Sequence, residues 1–402
     1  MNRRNFIALS GLAVAETLLP RAQAQPQSTN VVVLDAFWES AIPIKSTARS
    51  PLPSYRTHGV VRPAIIALNA PWTIHLPARI DWSSLGASSL SYSISSDDGV
   101  LVSSPFISVG KVDTPVYDLG SNYTVPKSFN SIGKRELTLV LSVGPKATST
   151  EIMRAKSTVY SSLATPISPW HPQNAAFETA PWLEAVDLVV GWAQGATTPT
   201  QCLEALTRNL YSVAAIRGTG VKTRFSYSGD AAPNYTSWEH YDFPTDTVSV
   251  SGFALNSWLT QCLNGTGGRG EDPTSMNCTD CALLLCYLGR LLGVDVHPLN
   301  VYAKQGSLNL QNVYPIGSSG TSSPSFSHHV VAFIPPLNGV ETMIYDACLG
   351  IHQGSTPGPC IVPLGEYLKA ISGQDSSNFG WDESIDCPDV FTEPKVDYVY
   401  NA

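Results

Sequence analysis

The most informative stretch of the chain reads Cys278-Thr279-Asp280-Cys281-Ala282-Leu283-Leu284-Leu285-Cys286-Tyr287-Leu288-Gly289-Arg290-Leu291-Leu292-Gly293. A helix over these residues is apolar nearly all round and ends at a glycine, which predicts burial in a domain core. The segment before it, residues 264–277, is glycine-rich and polar and is predicted to be a surface loop. Cys278 is therefore expected where a loop meets the N-terminus of a buried helix, and the unpaired amides and helix dipole there favour a thiolate.

A second segment offers a base for this cysteine. A predicted strand reads Ser327-His328-His329-Val330-Val331-Ala332-Phe333-Ile334, and a returning strand over residues 340–345 ends at Asp346. A turn centred between residues 337 and 338 places His329 opposite Asp346, whereas a turn centred on residue 337 places His328 there. Opposed side chains have Cβ atoms roughly 4.5–5.5 Å apart, within reach of an imidazole–carboxylate hydrogen bond. The hairpin thus predicts a His–Asp pair and leaves the choice of histidine open.

Together these groups form a complete set for acyl transfer. A thiolate can attack an acyl carbon, an imidazole can move the proton, and a carboxylate can hold the tautomer of the imidazole. Cys278 is thus the predicted nucleophile. Asp280 is interpreted as a helix N-terminal charge, with no part in the chemistry.

The same residues resemble the transglutaminase-like superfamily. Its motif has a nucleophilic cysteine four residues before an alanine, as Cys278 and Ala282 are here, and then a leucine-rich helix. That helix ends in an arginine, two further residues, and then glycine with isoleucine or valine. Arg290 and residues 293–294 match this ending. Downstream strands carrying the histidine and the aspartate follow in the family's order. The resemblance covers about residues 200–350.

The resemblance implies a papain-like fold in which the cysteine helix packs on an antiparallel sheet that bears the histidine and the aspartate. It implies Cys278 as nucleophile, His329 as general base with His328 as the alternative, and Asp346 as the orienting acid. The activity implied is hydrolysis of an amide or peptide bond through a Cys278 thioester, with transfer to an amine as the runner-up. No cofactor or metal is implied, and the expected partner is a peptide or protein substrate.

The sequence departs from the family at two places beside the triad. Val331 stands where members often have an aromatic residue two positions after the histidine, and Ala347 where they often have a proline after the aspartate. An oxyanion donor is expected from the Cys278 backbone amide, and Trp258 and Gln261 are side-chain candidates.

The chain of 402 residues is long enough for two domains, and the overall class is predicted to be α+β. Residues 25–162 read as a β-rich, β-sandwich-like domain. Within it residues 90–94 alternate before the hairpin signal Asp98-Gly99, and residues 135–143 form a clear strand. Residues 163–174 are rich in proline and serine and are interpreted as a linker, and residues 175–402 form the transglutaminase-like catalytic domain.

The catalytic domain is predicted to contain a further amphipathic helix near its start. Thr198 and Pro199 supply an N-cap and a first-turn proline. Leucines then recur at spacings of three and four, at positions 203, 206 and 210, on one face of the helix.

Residues 1–24 resemble a twin-arginine export signal, with Arg3 and Arg4 before an apolar run and Ala22-Gln23-Ala24 as the cleavage site. They predict a periplasmic or secreted bacterial protein. Their removal takes away three arginines and one glutamate and moves the formal net charge from −8 to −10. That charge argues against a nucleic-acid partner, and no segment reaches the roughly 18 apolar residues of a membrane span.

Eight cysteines allow other interpretations. In an oxidising compartment Cys348 could pair with Cys360, or Cys262 with Cys387, although sequence leaves the connectivity open. Residues 278–281 form a C-x-x-C at a helix start, the arrangement of a thiol–disulfide oxidoreductase. A binding module whose catalytic core has lost turnover is the third reading. A zinc site is disfavoured because no second C-x-x-C or H-x₃-H completes four ligands.

Overall fold

The structure of the chain is a computed structural model. It describes residues 31–33, 37–38, 42–43, 61–68, 72–75, 77–80, 89–96, 99–103, 107–108, 116–118, 121–123, 130–143, 150–170, 181–213, 225–227, 235–242, 247–264, 275–318, 321–353 and 356–383. The predicted export segment, residues 1–24, and Cys387 lie outside the described residues.

Helices and sheets are both present, so the fold is α+β, as the sequence predicts. The α-helices are α1 (Leu183–Trp192), α2 (Pro199–Val213), α3 (Leu255–Asn264), α4 (Cys278–Leu291) and α5 (Leu364–Ser372). Short 3-10 helices cover Gly339–Glu341 and Ser376–Asn378. Within the described part of the chain, no helix has the length and apolar character needed to cross a membrane.

The described residues divide into two compact units. The β-rich unit takes in those up to residue 166 together with residues 181–197, and the cysteine-helix unit takes in residues 167–170 and those from 198 to 383. The predicted boundaries, with a β-rich domain over residues 25–162 and a catalytic domain over residues 175–402, stay a prediction.

The β-rich unit consists mainly of strands. They are β1 (Val31–Val33), β2 (Phe37–Trp38), β3 (Ile42–Pro43), β4 (Val61–Ala67), β5 (Trp72–His75), β6 (Pro77–Ile80), β7 (Ser89–Ser96), β8 (Gly99–Ser103), β9 (Ile107–Ser108), β10 (Val116–Asp118), β11 (Ser121–Tyr123), β12 (Gly133–Val143) and β13 (Thr150–Ser162). They form a sheet of order β3-β4-β13-β12-β7-β8, with β9 also on β7, and the three-stranded sheets β1-β6-β10 and β11-β5-β2.

Two sequence predictions for this unit are confirmed. The predicted strand over residues 135–143 lies in β12, and the strand at residues 90–94 lies in β7, which pairs antiparallel with β8. The β-sandwich-like arrangement stays a prediction.

Helix α1 belongs to the β-rich unit because polar side chains join it to β12 and β13. Asp187 of α1 accepts hydrogen bonds from Lys134 Nζ at 2.7 Å and from the Tyr160 hydroxyl at 2.9 Å. Ala185, Val186, Val189 and Val190 of the helix are buried. The carboxylate thus holds α1 to adjacent strands while the apolar face of the helix is buried.

The cysteine-helix unit contains the remaining strands. They are β14 (Ser226–Tyr227), β15 (Thr236–Asp242), β16 (Thr247–Phe253), β17 (Ser275–Met276), β18 (His297–Ala303), β19 (Leu308–Asn309), β20 (Tyr314–Pro315), β21 (Ser325–Phe326), β22 (His328–Phe333), β23 (Met343–Gln353), β24 (Thr356–Pro363) and β25 (Phe379–Asp382). An antiparallel sheet of order β20-β23-β22-β18-β25, with β24 also on β23, forms its centre, and α4 packs against β18, β22 and β23.

Helix α4 is the buried helix that the sequence predicts. Every residue from Thr279 to Leu291 is buried, and Gly293 beyond its end has a φ of 77°. Gly289 lies so close to the residue before β18 that an added Cβ would come within 2.6 Å of Val296 Cγ2. The absence of a side chain at Gly289 therefore lets the helix approach the chain that enters the sheet.

Helix α2 also confirms its sequence pattern. Thr198 Oγ1 accepts a hydrogen bond from the Gln201 amide at 3.2 Å, which is the predicted N-cap. Leu203, Leu206 and Leu210 are fully buried. The helix packs this face against α4 and β23.

The predicted loop before α4 is wrong over its last three residues. Ser275 and Met276 form β17, which pairs in parallel with β14, and Asn277 caps α4; all three are buried. Residues 265–274 lie outside the described residues. Strand pairing and capping thus bury the part of the segment that leads directly into Cys278.

The predicted linker is packed over residues 167–170. The Ile167 amide donates to the Arg290 carbonyl at 3.0 Å, and Arg290 Nη1 donates to the Ser168 carbonyl at 3.1 Å. Trp170 is 1% exposed and its indole N–H donates to the Tyr287 carbonyl at 2.8 Å. These residues therefore pack against α4, within a segment whose proline and serine content predicts a linker.

Replacing Trp170 tests this packing. Because a large buried side chain is lost, Trp170→Ala should reduce the free energy of unfolding by about 3–5 kcal/mol, measured by urea denaturation. Trp170→Phe keeps most of the volume and should cost less. A residue in an exposed linker would change stability by less than about 0.5 kcal/mol, and that result for Trp170→Ala would contradict the packing.

Candidate active site

Cys278 is the first residue of α4 and is partly exposed, whereas the helix behind it is buried. The amides of Cys278 and Thr279 lie in the first turn, where helix geometry provides no intrahelical acceptor. Such amides, aligned with the helix dipole, favour negative charge at this end of the helix. The thiol is therefore partly accessible and lies at the helix end that the dipole makes positive.

Asp280 anchors the start of α4. The Asn277 side chain accepts from the Asp280 amide at 3.0 Å, and the Asp280 carboxylate accepts in return from the Asn277 amide, forming a capping box. Asp280 Oδ1 also accepts from the amides of Tyr235 and Thr236 at 3.1 and 3.0 Å and from the Thr236 hydroxyl at 2.8 Å. Asp280 is thus a fully buried structural carboxylate, as its interpretation as a helix charge requires.

His329 lies on β22 and Asp346 on the neighbouring strand β23, and both side chains are buried. His329 is 0% and Asp346 1% exposed, and His329 Nε2 lies 3.0 Å from Asp346 Oδ2. Since a carboxylate oxygen can only accept a hydrogen bond, Nε2 carries a proton and donates a hydrogen bond to Asp346. The structure therefore brings together the histidine and the aspartate that the sequence proposed as a pair.

Both predicted registers of this hairpin are wrong, the one that opposes His329 to Asp346 by two residues and the one that opposes His328 to Asp346 by three. Ala332 pairs with Tyr345 and Phe333 with Ile344, so the turn is longer than expected and contains the 3-10 helix Gly339–Glu341. A shift of two preserves the face on which each side chain lies, because side chains alternate with a period of two. His329 and Asp346 are consequently diagonal neighbours, which long polar side chains can still bridge.

Asp346 accepts four hydrogen bonds. The amides of Cys348 and Leu349 donate to Oδ1 at 2.7 and 3.0 Å, at a point where β23 departs from regular pairing with β24. His329 Nε2 and the Tyr367 hydroxyl, the latter at 2.8 Å, share Oδ2. The carboxylate is therefore fixed in position and its charge is compensated although water is excluded.

The second nitrogen of His329 is available to Cys278. Nδ1 is buried and has no hydrogen-bond partner of standard distance and angle among the described residues. Burial lowers the pKa of His329, but the Asp346 carboxylate and the nearby Cys278 sulfur together raise it above its ordinary value, to about 10. His329 thus has the Asp346 carboxylate on Nε2 and lies close enough to Cys278 for the cysteine to raise its pKa. Catalytic hydrogen bonds are often long before substrate binds.

His328, the alternative base, lies on the other face of β22. It is half-buried, and its Nδ1 is 2.9 Å from Ser327 Oγ. Alternation along the strand separates it from Asp346, which is bound to His329.

The oxyanion candidates Trp258 and Gln261 both lie on α3 and are buried. The indole of Trp258 stacks on the ring of Phe225, with ring centroids 5.8 Å apart. Their assignment as oxyanion donors remains a hypothesis.

Cys348 and Cys360, one of the two pairings that the sequence allows, are buried free thiols. In the other suggested pair, Cys262 is also a free thiol, and Cys387 lies outside the described residues. Cys278 and Cys281 are free as well, and Cys281 is hydrogen-bonded to Cys348. Burial raises the pKa of Cys348 and of Cys360 well above the ordinary thiol value.

In the described ranges, no group of three or more histidine, cysteine, aspartate and glutamate side chains could hold a metal ion.

Sequence reasoning missed Tyr367. It lies on α5, whose buried positions Leu364, Leu368 and Ile371 follow helical spacing, and its own side chain is fully buried. A buried tyrosine hydroxyl generally requires a hydrogen-bond partner, so the position of Tyr367 on the apolar face indicated a polar contact there. The partner could not be identified from sequence, because Asp346 lies 21 residues away on another element.

Comparison with protein-family models gives no match for this chain, and comparison with curated proteins gives none. Among solved structures, the chain is similar to the transglutaminase of red sea bream, with 15% sequence identity and a TM-score of 0.35. The similarity covers 72% of this chain and 49% of the fish enzyme, so the chain spans about half the length of that protein. The chemistry of the site is therefore inferred from its own residues.

The raised pKa of His329 predicts a pH-dependent contribution to stability. The folded state binds this proton more tightly than the unfolded chain, whose histidine titrates near 6.5. The stabilisation is complete below pH 6.5, declines as pH rises, and is lost above about pH 10. Urea denaturation at several pH values should show the stability advantage of the wild type over His329→Asn shrinking across that window.

The matched control is His328→Asn, which alters the neighbouring, half-buried histidine. Its stability relative to the wild type should change much less between these pH values. An advantage over His329→Asn that stays constant or grows with pH would contradict the proton-binding role of His329.

Proposed function

We propose that the cysteine-helix unit is a transglutaminase-like core that cleaves or transfers an amide through a thioester on Cys278. The observation that carries this proposal is the bridging position of His329, with Nε2 bonded to Asp346 at 3.0 Å and Nδ1 left for the nearby Cys278. Thiolate, imidazole and buried carboxylate are the groups that cysteine acyl transfer requires.

The reaction follows from the positions of these three groups. The Cys278 thiolate attacks the amide carbon, and the His329 imidazolium gives its Nδ1 proton to the leaving amine as the C–N bond breaks. A thioester and a neutral imidazole remain. Water then attacks the thioester while Nδ1 takes a proton from it, which releases the carboxylic acid and restores the thiolate–imidazolium pair. His329 Nε2 keeps its proton throughout. Asp346 accepts the hydrogen bond from Nε2 and stabilises the imidazolium.

The tetrahedral intermediate needs donors for its oxyanion. The amide of Cys278 at the helix N-terminus is the first donor that we propose. Trp258 and Gln261 are further candidates on α3. Hydrolysis is the default second step because water is always present, and transfer to an amine is the alternative.

The C-x-x-C alternative is disfavoured by the surroundings of Cys281. Its side chain is 1% exposed and hydrogen-bonded to Cys348, so it is poorly placed to exchange disulfides with a partner protein. Only Cys278 of the two is accessible. Acyl-transfer chemistry needs just that one thiol.

The proposal extends to the rest of the chain. We propose that residues 1–24 direct export to the periplasm or beyond, that the following β-rich domain is sandwich-like, and that the substrate is a peptide or protein. The resemblance of the first residues to a twin-arginine signal supports the first point and the strand content of the β-rich unit the second. The third follows from the amide chemistry proposed for Cys278.

The test is acylation by p-nitrophenyl acetate, followed by release of nitrophenol and by mass spectrometry of the Cys278 peptide. The wild type should form an acetyl thioester on Cys278, and Cys278→Ala should form none. His329→Asn should be slower by roughly 10²–10⁴-fold, the usual range for loss of a general acid–base. Adding butylamine to the acylated protein then distinguishes transfer from hydrolysis.

Cys281→Ala is the matched control, since it removes a thiol one helical turn away. It should keep acylation, whereas a disulfide oxidoreductase would lose its activity. Acylation that is equal in the wild type and Cys278→Ala would contradict the proposed function, and a wild type that does not turn over would favour a binding module.

A further inference from the structure

Tyr367 lies directly behind the His–Asp pair. It is fully buried on α5, and its hydroxyl donates to Asp346 Oδ2 at 2.8 Å. The same oxygen accepts from His329 Nε2 at 3.0 Å. The tyrosine therefore acts on the atom that orients the imidazole.

The ring of Tyr367 also lies parallel to that imidazole. Their centroids are 6.5 Å apart and their planes differ by 19°. Phe326 has a similar relation to His329, with centroids 6.2 Å apart and planes at 29°. The orientation of the imidazole is thus constrained by near-parallel rings as well as by the carboxylate.

The Tyr367 hydroxyl is one of the donors that fix the orientation of the Asp346 carboxylate. Oδ1 is fixed by the amides of Cys348 and Leu349. Oδ2 has only side-chain partners among the described residues, namely His329 and Tyr367. In the proposed reaction His329 gives and takes a proton at Nδ1, whereas Tyr367 takes no part in proton transfer and serves only to hold Oδ2.

We propose that Tyr367 is a positioning residue for acyl transfer, which fixes Asp346 Oδ2 so that His329 directs Nδ1 at Cys278. This inference rests on the proposed function of the triad. It adds a fourth side chain, from α5, to groups that come from α4, β22 and β23.

The surroundings of Tyr367 keep its hydroxyl protonated. Burial raises the pKa of Tyr367 well above its ordinary value, and the Asp346 carboxylate and the thiols of Cys360 and Cys348 raise it further. The hydroxyl therefore remains a donor over the whole pH range in which His329 titrates.

Helix α5 is held firmly enough to keep this geometry. The Leu364 amide donates to the Thr342 carbonyl at 2.8 Å, which joins the start of α5 to the chain entering β23. Gly373 ends the helix with a φ of 68°. Leu368 and Ile371 bury the same face as Tyr367.

The test compares Tyr367→Phe with Tyr345→Phe. Tyr345 precedes Asp346 on β23, is buried, and is hydrogen-bonded to Thr200, so its variant also removes one buried hydroxyl. Acylation by p-nitrophenyl acetate gives kcat and KM, and iodoacetamide labelling of the Cys278 peptide gives a pH profile. Thermal unfolding checks that each variant is folded.

Tyr367→Phe should lower kcat by roughly 10- to 100-fold, the range for one hydrogen bond to a charged group, with KM little changed. The alkaline limb of the labelling profile should move to higher pH. Without the Tyr367 hydroxyl, the charge of Asp346 is less compensated and stabilises the His329 imidazolium more strongly. Tyr345→Phe should keep the wild-type profile. Tyr367→Gln, which retains a donor, should recover part of the lost rate.

Wild-type rate and pH profile in Tyr367→Phe would overturn this inference, as would an equal loss in Tyr345→Phe. Failure of Tyr367→Gln to exceed Tyr367→Phe would also count against it. If the wild type itself showed no labelling advantage over Cys278→Ala, the proposed function would fail instead. The two failures are therefore distinguishable.

Discussion

The structure of the site depends on one buried carboxylate. Asp346 is almost wholly removed from water, and an ionised carboxylate there is tolerated only because its two oxygens accept four hydrogen bonds. Two donors are backbone amides of β23 itself, so the strand must leave its regular pairing to provide them. The other two are His329 and Tyr367. Satisfying Asp346 therefore fixes the irregularity of β23, the orientation of His329 and the position of α5 together.

The burial of α4 links this site to the core. Thirteen consecutive residues of the helix are buried, and the chain packs around them from β22, β23, α2 and residues 167–170. The one accessible end is the N-terminus, where a capping box and the bonds from Asp280 to residues 235–236 fix the first turn. Cys278 is thus the first residue of a buried helix, while Cys278 itself stays partly exposed.

Features with local causes could be predicted from sequence. The faces of α2 and α4, the capping of α2 and the strand β12 follow from periodicity and side-chain chemistry. The meeting of His329 with Asp346 followed from strand alternation, and it survived a two-residue error in register because alternation repeats every two residues. Features that depend on distant partners could not be predicted. Trp170 finds its acceptor 117 residues away, and a proline-rich segment gives no local sign of that contact.

The central claim is that Cys278, His329 and Asp346 form one proton-sharing unit. Nitrogen-15 NMR of the His329 ring tests it most directly, with spectra taken before and after alkylation of Cys278. We predict that Nε2 stays protonated and hydrogen-bonded in both states, and that the Nδ1 resonance changes when the sulfur is alkylated. A proton on Nδ1 with Nε2 unprotonated, or an Nδ1 resonance indifferent to alkylation, would contradict it.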